Sequence, residues 1–304
     1  MVSRKIIFQS LNWKIKDVNN HLEEIKEVGF NTIQLSPLQG IKENNYDFWV
    51  YYQPINYKIG NNLGNKNDLI ELCKKANNLG IKIIVDVVFH HVANYRNNDI
   101  NSLVDKEILS IKDLWYQTSF YNIQNYNNDY ECTHYSLGGL PALNLSSKEL
   151  RKLQFNYLKE LVECGVSGFR FDAMKHLASE NNYFQEMKDF IGQNIIDNSY
   201  GECIDCSQTT LNYYSQYMKC GTNITISKDN ENLVIWVFSH DDELTFNKYI
   251  PDNVINSEFE FLYNNYKADI LYYARKFNNS WKNLNLKKGK EKETTLNEGV
   301  KYEN

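Results

Sequence analysis

Ile81-Lys-Ile-Ile-Val-Asp-Val-Val-Phe-His-His91 is the stretch that decides the fold. It is almost continuously apolar, the composition of a strand covered on both faces, and such strands belong to parallel sheets. On its N-terminal side Leu69, Leu72, Cys73 and Ala76 recur at helical spacing and stop at Gly80. Further upstream come a strand over residues 6–11, a helix carrying Val18, Leu22, Ile25 and Val28 that ends at Gly29, a strand over 32–36, and a turn-rich loop to Gly64. Downstream, residues 92–141 are rich in Asn, Tyr and Asp with little periodicity, too long for a plain loop and therefore expected to be a small inserted subdomain. Ser146-Ser-Lys-Glu149 reads as a capping box for a helix with Leu150, Leu153, Tyr157, Leu158 and Leu161. Strands follow at 166–171, 200–204, 223–227, 233–238 and 270–273.

Eight strands interleaved with helices predict an α/β fold, a (β/α)₈ TIM barrel. Its expected extent is residues 1–91 and 142–275, with 276–304 a polar, loosely held tail. With a helix near 211–218, the span from Glu202 to Asp241 leaves almost no room for a sixth outer helix, so a reduced barrel is expected. The polar tail holds too little apolar sequence for a C-terminal β-sandwich.

Of 304 residues 42% are hydrophobic, enough for a large core, and 33 basic against 38 acidic residues give a net charge of −5. Nothing in that balance points to nucleic acid. No run approaches the roughly 18 apolar residues that span a bilayer, so no membrane partner is expected. The start has no apolar leader, which predicts a cytoplasmic protein, or a secreted one if a leader has been removed. Six scattered cysteines fit a reducing compartment; Cys203-Ile-Asp-Cys206 has no second CxxC or histidine pair and is read as two buried or half-buried thiols. The oligomeric state is left open.

Reactive groups of such barrels sit where strands end. Asp86, His90 and His91 fall there after the third strand, Arg170 and Asp172 after the fourth, Glu202 at the fifth, His240 and Asp241 after the seventh. Asp172 and Glu202, on adjacent strands, are expected to converge to the spacing of about 5 Å that retaining glycoside hydrolysis requires. Arg170, two residues before Asp172, shares its face and is expected to keep it ionised. Glu202 has no such neighbour in sequence, and a more apolar setting is expected to keep it protonated.

Asp86-Val-Val-Phe-His-His91, Gly168-Phe-Arg-Phe-Asp-Ala-Met-Lys-His176, Gly201-Glu202 and Trp236-Val-Phe-Ser-His-Asp241 resemble, in order and spacing, the four signature regions of the α-amylase family, glycoside hydrolase family 13. Asn12-Trp13, Phe48-Trp-Val-Tyr-Tyr-Gln-Pro54, Tyr57-Lys-Ile-Gly60 and Leu140-Pro-Ala-Leu-Asn144 extend the resemblance over roughly residues 5 to 275. It implies Asp172 as nucleophile, Glu202 as general acid/base and Asp241 as the transition-state-stabilising carboxylate. It also implies that Arg170 positions Asp172, that His91 and His240 bond the sugar, and that Tyr52 stacks on it. Phe48, Trp49 and Gln53 then belong to neighbouring subsites, Lys175 and His176 to the leaving-group side, and Asp86 supports. The implied activity is hydrolysis of α-1,4 bonds in starch, glycogen or maltodextrins. The alternatives are an α-glucanotransferase with the same site, or a catalytically weak carbohydrate-binding protein.

The family's structural calcium usually takes an Asn and an Asp where this chain has His90 and Ala142. An imidazole and a methyl are poor substitutes for carboxylate and amide oxygens, so calcium binding is doubted and no cofactor is expected. Ser239 stands where chloride-dependent relatives carry Asn.

Overall fold

The protein is described by a computed structural model covering residues 4–43, 45–94, 100, 102–177, 182–223, 227–276, 278–284 and 286. Eight parallel strands close into a barrel: β1 Ile6–Ser10, β2 Thr32–Leu35, β3 Lys82–Val87, β4 Gly168–Phe171, β5 Tyr200–Glu202, β6 Lys219–Thr222, β7 Leu233–Ile235 and β8 Asp269–Tyr273. Each strand bonds to the next in sequence, and β8 returns to β1 with Ile6 opposite Ile270. Ile7, Ile84, Tyr200, Val234 and Leu271 meet inside and form an apolar plug, with Trp236 packed on it. Because strand side chains alternate, Gln9, Asp86, Glu202 and Tyr273, two residues further along, point the same way one step nearer the C-terminal mouth. The strands therefore deliver polar groups to one end by their period alone.

Six longer helices clad the outside: α1 Ile15–Val28, α2 Lys66–Asn78, α3 Lys148–Glu163, α4 Tyr183–Ile191, α5 Gln208–Tyr214 and α6 Asp252–Asn265. Gly29 ends α1 at φ 120°, in the left-handed region that favours glycine. A capping box opens α2, where the Asn65 side chain accepts from Asn67 and Asp68 N–H while Asp68 accepts from Asn65. The α3 cap is Ser147 rather than Ser146, its Oγ accepting from Leu150 N at 3.5 Å.

The sixth strand lies earlier than expected, at Lys219–Thr222 instead of 223–227, of which 224–226 fall outside the described residues. Among the described residues no helix joins β6 to β7. The outward-facing Cys220, Leu233 and Ile235 are nonetheless buried, so the shortened crossover does not strip the barrel wall. Packing also continues past the expected edge at 275. Ser280–Asn283 forms a short helical turn whose Trp281 is 1% exposed, edge-on to Phe8 at 5.1 Å, and Leu284 and Leu286 are buried with it. Residues 287–304 of the expected tail lie outside the described residues.

After β3 the chain leaves the barrel and comes back at a narrow neck: His91 and Ala142 form an antiparallel bridge, and Leu143 N donates to His90 O at 2.7 Å. Among its described residues the excursion carries two short helices, Lys106–Leu109 and Asp129–His134, and adds no further sheet. Among the described residues no helix is long and apolar enough to cross a membrane.

Gly168 is a point of close approach. A Cβ there would lie 2.6 Å from the carbonyl oxygen of Asn198, in the turn that leads into β5, and backbone cannot step aside. Gly168→Ala is expected to cost about 2 kcal/mol and to lower the melting temperature by several degrees. An unchanged calorimetric midpoint would show that the turn before β5 moves aside without cost.

Candidate active site

Arg170 organises the mouth of the barrel. Its side chain is 2% exposed, and Nη1 donates to Asp86 Oδ1 and Oδ2 at 2.8 Å each and to Asp172 Oδ1 at 2.7 Å. Nη2 reaches Glu202 Oε1. Strand register explains the convergence: Phe171 lies opposite Gly201, so Asp172 is level with Glu202 across a gap of about 4.8 Å. Glu202, which has no arginine near it in sequence, thus shares that of Asp172 in space, one guanidinium serving carboxylates from three adjacent strands. Sequence distance hid this; only strand order brings residues 86, 170 and 202 together.

One cation among three buried carboxylates leaves the cluster short of positive charge. Burial pushes the Glu202 carboxyl up to about 7, helped by the Asp172 and Asp241 charges and opposed by Arg170. Burial likewise raises Asp172 and Asp86, in each case against the pull of Arg170. The expected ionising effect of Arg170 on Asp172 is thus present but outweighed by desolvation. Asp172 and Glu202 keep 12% of their side chains exposed, enough to touch a ligand, whereas Asp86 has none. Glu202 Oε2 also accepts from Ala173 N at 3.2 Å, and Ala173 holds a left-handed backbone with φ 48°. An alanine adopts that conformation at a cost of roughly 1–2 kcal/mol, so strain sits directly beside Asp172.

Asp241 begins the turn after β7, with its carboxylate 3.6 Å from His240 Nε2 and its side chain 26% exposed. The other His240 nitrogen, Nδ1, is 3.3 Å from Gln9 Nε2, an amide for which the apolar run of β1 gave a signal that went unread. Tyr52 does more than present a ring. Its hydroxyl donates to Asp86 Oδ2 at 2.9 Å, and its ring stacks on His240 at 5.7 Å and 6°. The Arg170 guanidinium lies 5.7 Å from the same centroid, so Tyr52 walls the site through contacts with protein. Phe48 meets His240 edge-on at 6.2 Å. Gln53 has a buried Oε1 without a hydrogen-bond partner, and Trp49 is 37% exposed beneath Lys42.

The remaining expected residues face the excursion. His91 Nε2 bonds the Tyr52 carbonyl at 2.9 Å. A carbonyl only accepts, so this nitrogen carries the proton and Nδ1 accepts from His90 Nδ1 at 3.3 Å. Both His91 nitrogens are thereby engaged within the protein, so the residue braces the Tyr52 carbonyl and His90. Burial lowers its pKa to about 4, keeping it neutral. His176 Nδ1 bonds the Cys132 carbonyl at 2.8 Å, and Lys175 reaches Ile204 O at 3.4 Å and the Tyr126 ring at 5.7 Å. These two residues pin the excursion and the loop after β5 to the barrel rim.

His90 Nε2 is buried with no partner, and the Ala142 carbonyl accepts from Ser119 Oγ at 2.6 Å. An imidazole nitrogen and a carbonyl already bonded do not make the oxygen cage calcium needs, so these residues do not fit that ion. The cysteines depart from expectation too. Cys203 and Cys206 form a disulfide, while Cys73, Cys132, Cys164 and Cys220 are free and buried. The pairing removes the support that sparse cysteines gave to a reducing compartment.

A closed eight-stranded parallel barrel with carboxylates gathered at the C-terminal strand ends defines a (β/α)₈-type barrel protein with a candidate active site at that mouth. A sequence model of the alpha-amylase catalytic domain matches residues 14–303, and the chain belongs to that family. It is 36% identical over 182 residues to the alpha-amylase of Clostridium acetobutylicum, which covers 58% of this chain and 23% of that protein. It is 30% identical over 192 residues to an alpha-amylase-related protein of Drosophila pseudoobscura pseudoobscura, covering 60% and 39% respectively. The chain thus spans well under half the length of these curated relatives. Among solved structures, alpha-amylase I of Eisenia fetida with maltohexaose superposes with a TM-score of 0.71 at 18% identity, over 91% of this chain and 70% of that one. The Geobacillus thermoleovorans alpha-amylase with acarbose gives 0.73 at 16% identity, over 94% and 78%. These two establish likeness of fold.

Proposed function

We propose that this barrel hydrolyses α-1,4-glucosidic bonds of starch, glycogen or maltodextrins with retention, through a glycosyl ester on Asp172. The observation that carries the reading is the shared guanidinium: Arg170 bonds Asp172 and Glu202 at once, on strands spaced for the carboxyl separation of about 5–5.5 Å of retaining enzymes. Asp172 attacks the anomeric carbon as Glu202 gives its proton to the departing glycosidic oxygen. Glu202 then takes a proton from water, whose oxygen displaces Asp172. The raised pKa of Glu202, about 7, supports the protonated form the first step needs, and the greater exposure of Asp241 supports a role in holding sugar hydroxyls.

Incubation with maltoheptaose beside a Glu202→Gln variant tests this. Shorter sugars from the parent alone support hydrolysis, longer ones transfer, and turnover in neither protein overturns both in favour of carbohydrate binding. A pH profile gives an independent check. Since Glu202 must be protonated and its pKa lies at about 7, kcat/KM is expected to fall as pH rises through 7. The acid limb belongs to Asp172, which must be ionised, and lies above the ordinary aspartate value. A rate flat to pH 8.5 would exclude Glu202 as the acid.

A further inference from the structure

We propose that the Cys203–Cys206 disulfide is a redox-sensitive clamp on the acid/base Glu202, opened by a dithiol reductant with loss of turnover. The inference rests on the hydrolase reading for its effect on rate and on the local architecture for the clamp itself. Cys203 directly follows Glu202, and its N–H donates to Gly221 O at 2.7 Å, the last ladder bond between β5 and β6. Within four residues the chain must then leave the strand, turn and start α5, whose cap is Ser207. The turn runs through Asp205 in the left-handed region, φ 51°.

Apart from the disulfide and the Cys203 ladder bond, the turn is held by exposed or half-buried polar contacts. Asp205 N–H and Oδ1 pair with the Asn223 side chain at 3.3 and 3.2 Å, and Lys175 Nζ reaches Ile204 O at 3.4 Å. Polar contacts longer than 3 Å and open to water in part hold a turn weakly, whereas both cysteines are buried. The disulfide is therefore the buried fastening of a segment that has a reacting carboxylate at one end. It also fixes the carbonyl on which Lys175 rests. Acid catalysis tolerates little misplacement, since about 1 Å can cost 10²-fold.

The chemistry is thiol–disulfide exchange. When the turn opens between the exposed Asp205 and Ser207, a thiolate of the reductant attacks the otherwise buried Cys206 Sγ, forming a mixed disulfide as Cys203 leaves as thiolate and takes a proton. The reductant's second thiol then displaces Cys206 and closes its own disulfide. Two electrons and two protons pass from the dithiol to the protein.

The test uses the full chain purified without reductant, before and after dithiothreitol. Denatured protein should titrate as four thiols before treatment and six after. At a temperature well below unfolding, reduction is expected to lower kcat on maltoheptaose about tenfold with KM little changed. It should also move the alkaline limb of the pH profile downward, because a loosened turn hydrates Glu202. Reoxidation should restore both, and a Cys203→Ser/Cys206→Ser double variant should match the reduced form and ignore dithiothreitol. Hydrogen exchange over residues 203–208 should quicken on reduction. Six thiols at the outset, or an unchanged kcat and limb in an active enzyme, would overturn the proposal. So would a lowered melting temperature with kcat and limb intact, which marks a merely structural bridge. No turnover in either form with faster exchange sinks the hydrolase reading and leaves the clamp standing; unchanged exchange sinks the clamp.

Discussion

Asp172→Asn is expected to lower maltoheptaose hydrolysis on the order of 10⁴-fold, because an amide cannot form the glycosyl ester on which both half-reactions depend. Glu202→Gln should cost about 10²–10⁴-fold on the same substrate. A substrate that needs no protonation separates the two roles. With α-maltosyl fluoride the C–F bond breaks without an acid, so Glu202→Gln should still form the ester and then stall, since no base activates water. A rapid burst approaching one fluoride per enzyme is expected for Glu202→Gln and none for Asp172→Asn. The assignments fail if the burst belongs to the aspartate variant, or if that variant keeps more than a hundredth of the parent's turnover.

Arg170→Ala should produce the largest loss of stability. It removes the one cation that Asp86, Asp172 and Glu202 share, and Asp86 is fully buried. Breaking a buried ion pair from one side costs roughly 3–5 kcal/mol. The loss must depend on pH in a fixed sense. A carboxyl whose folded pKa lies above its unfolded value stabilises the fold below the unfolded pKa and loses that contribution as pH rises through the folded one. Glu202 at about 7 and Asp86 at about 8 already behave so, and without the arginine both move higher. Denaturant unfolding should therefore show a variant much weaker at pH 8 than at pH 5. An equal loss at both values, or one below about 1 kcal/mol, would show that the carboxylates find water or other donors.

The barrel was legible because strands buried on both faces leave apolar runs, and because polar residues interrupt them near one end. The sixth strand slipped because Lys219-Cys-Gly-Thr222 carries no apolar run, its room being taken by Tyr200 and Trp236 against Gly221. The cap of α3 shifted by one residue because two adjacent serines offer the same chemistry. At the site, the carboxylates could be read from spacing, but the charge balance could not. Nothing in the sequence says that Asp86 and Glu202 share the arginine of Asp172, or that both nitrogens of His91 are spent on protein. The disulfide was missed because a lone CxxC carries no geometry until the turn between its cysteines is known.

The neck at His91 and Ala142 has an architectural consequence. Entry and exit of the excursion touch, so lengthening or replacing what lies between them changes the entropy of a closed loop only logarithmically and leaves the strand ladder intact. The roof over the cleft is thus free to drift in size while the floor that carries the carboxylates stays put. That freedom applies beyond the core the two parts share, in which Ile100, Val104, Ile108 and Leu114 are buried with barrel side chains and His176 bonds the Cys132 carbonyl. On the reading proposed above, the outer part of the excursion can then change without moving Asp172, Glu202 or Asp241.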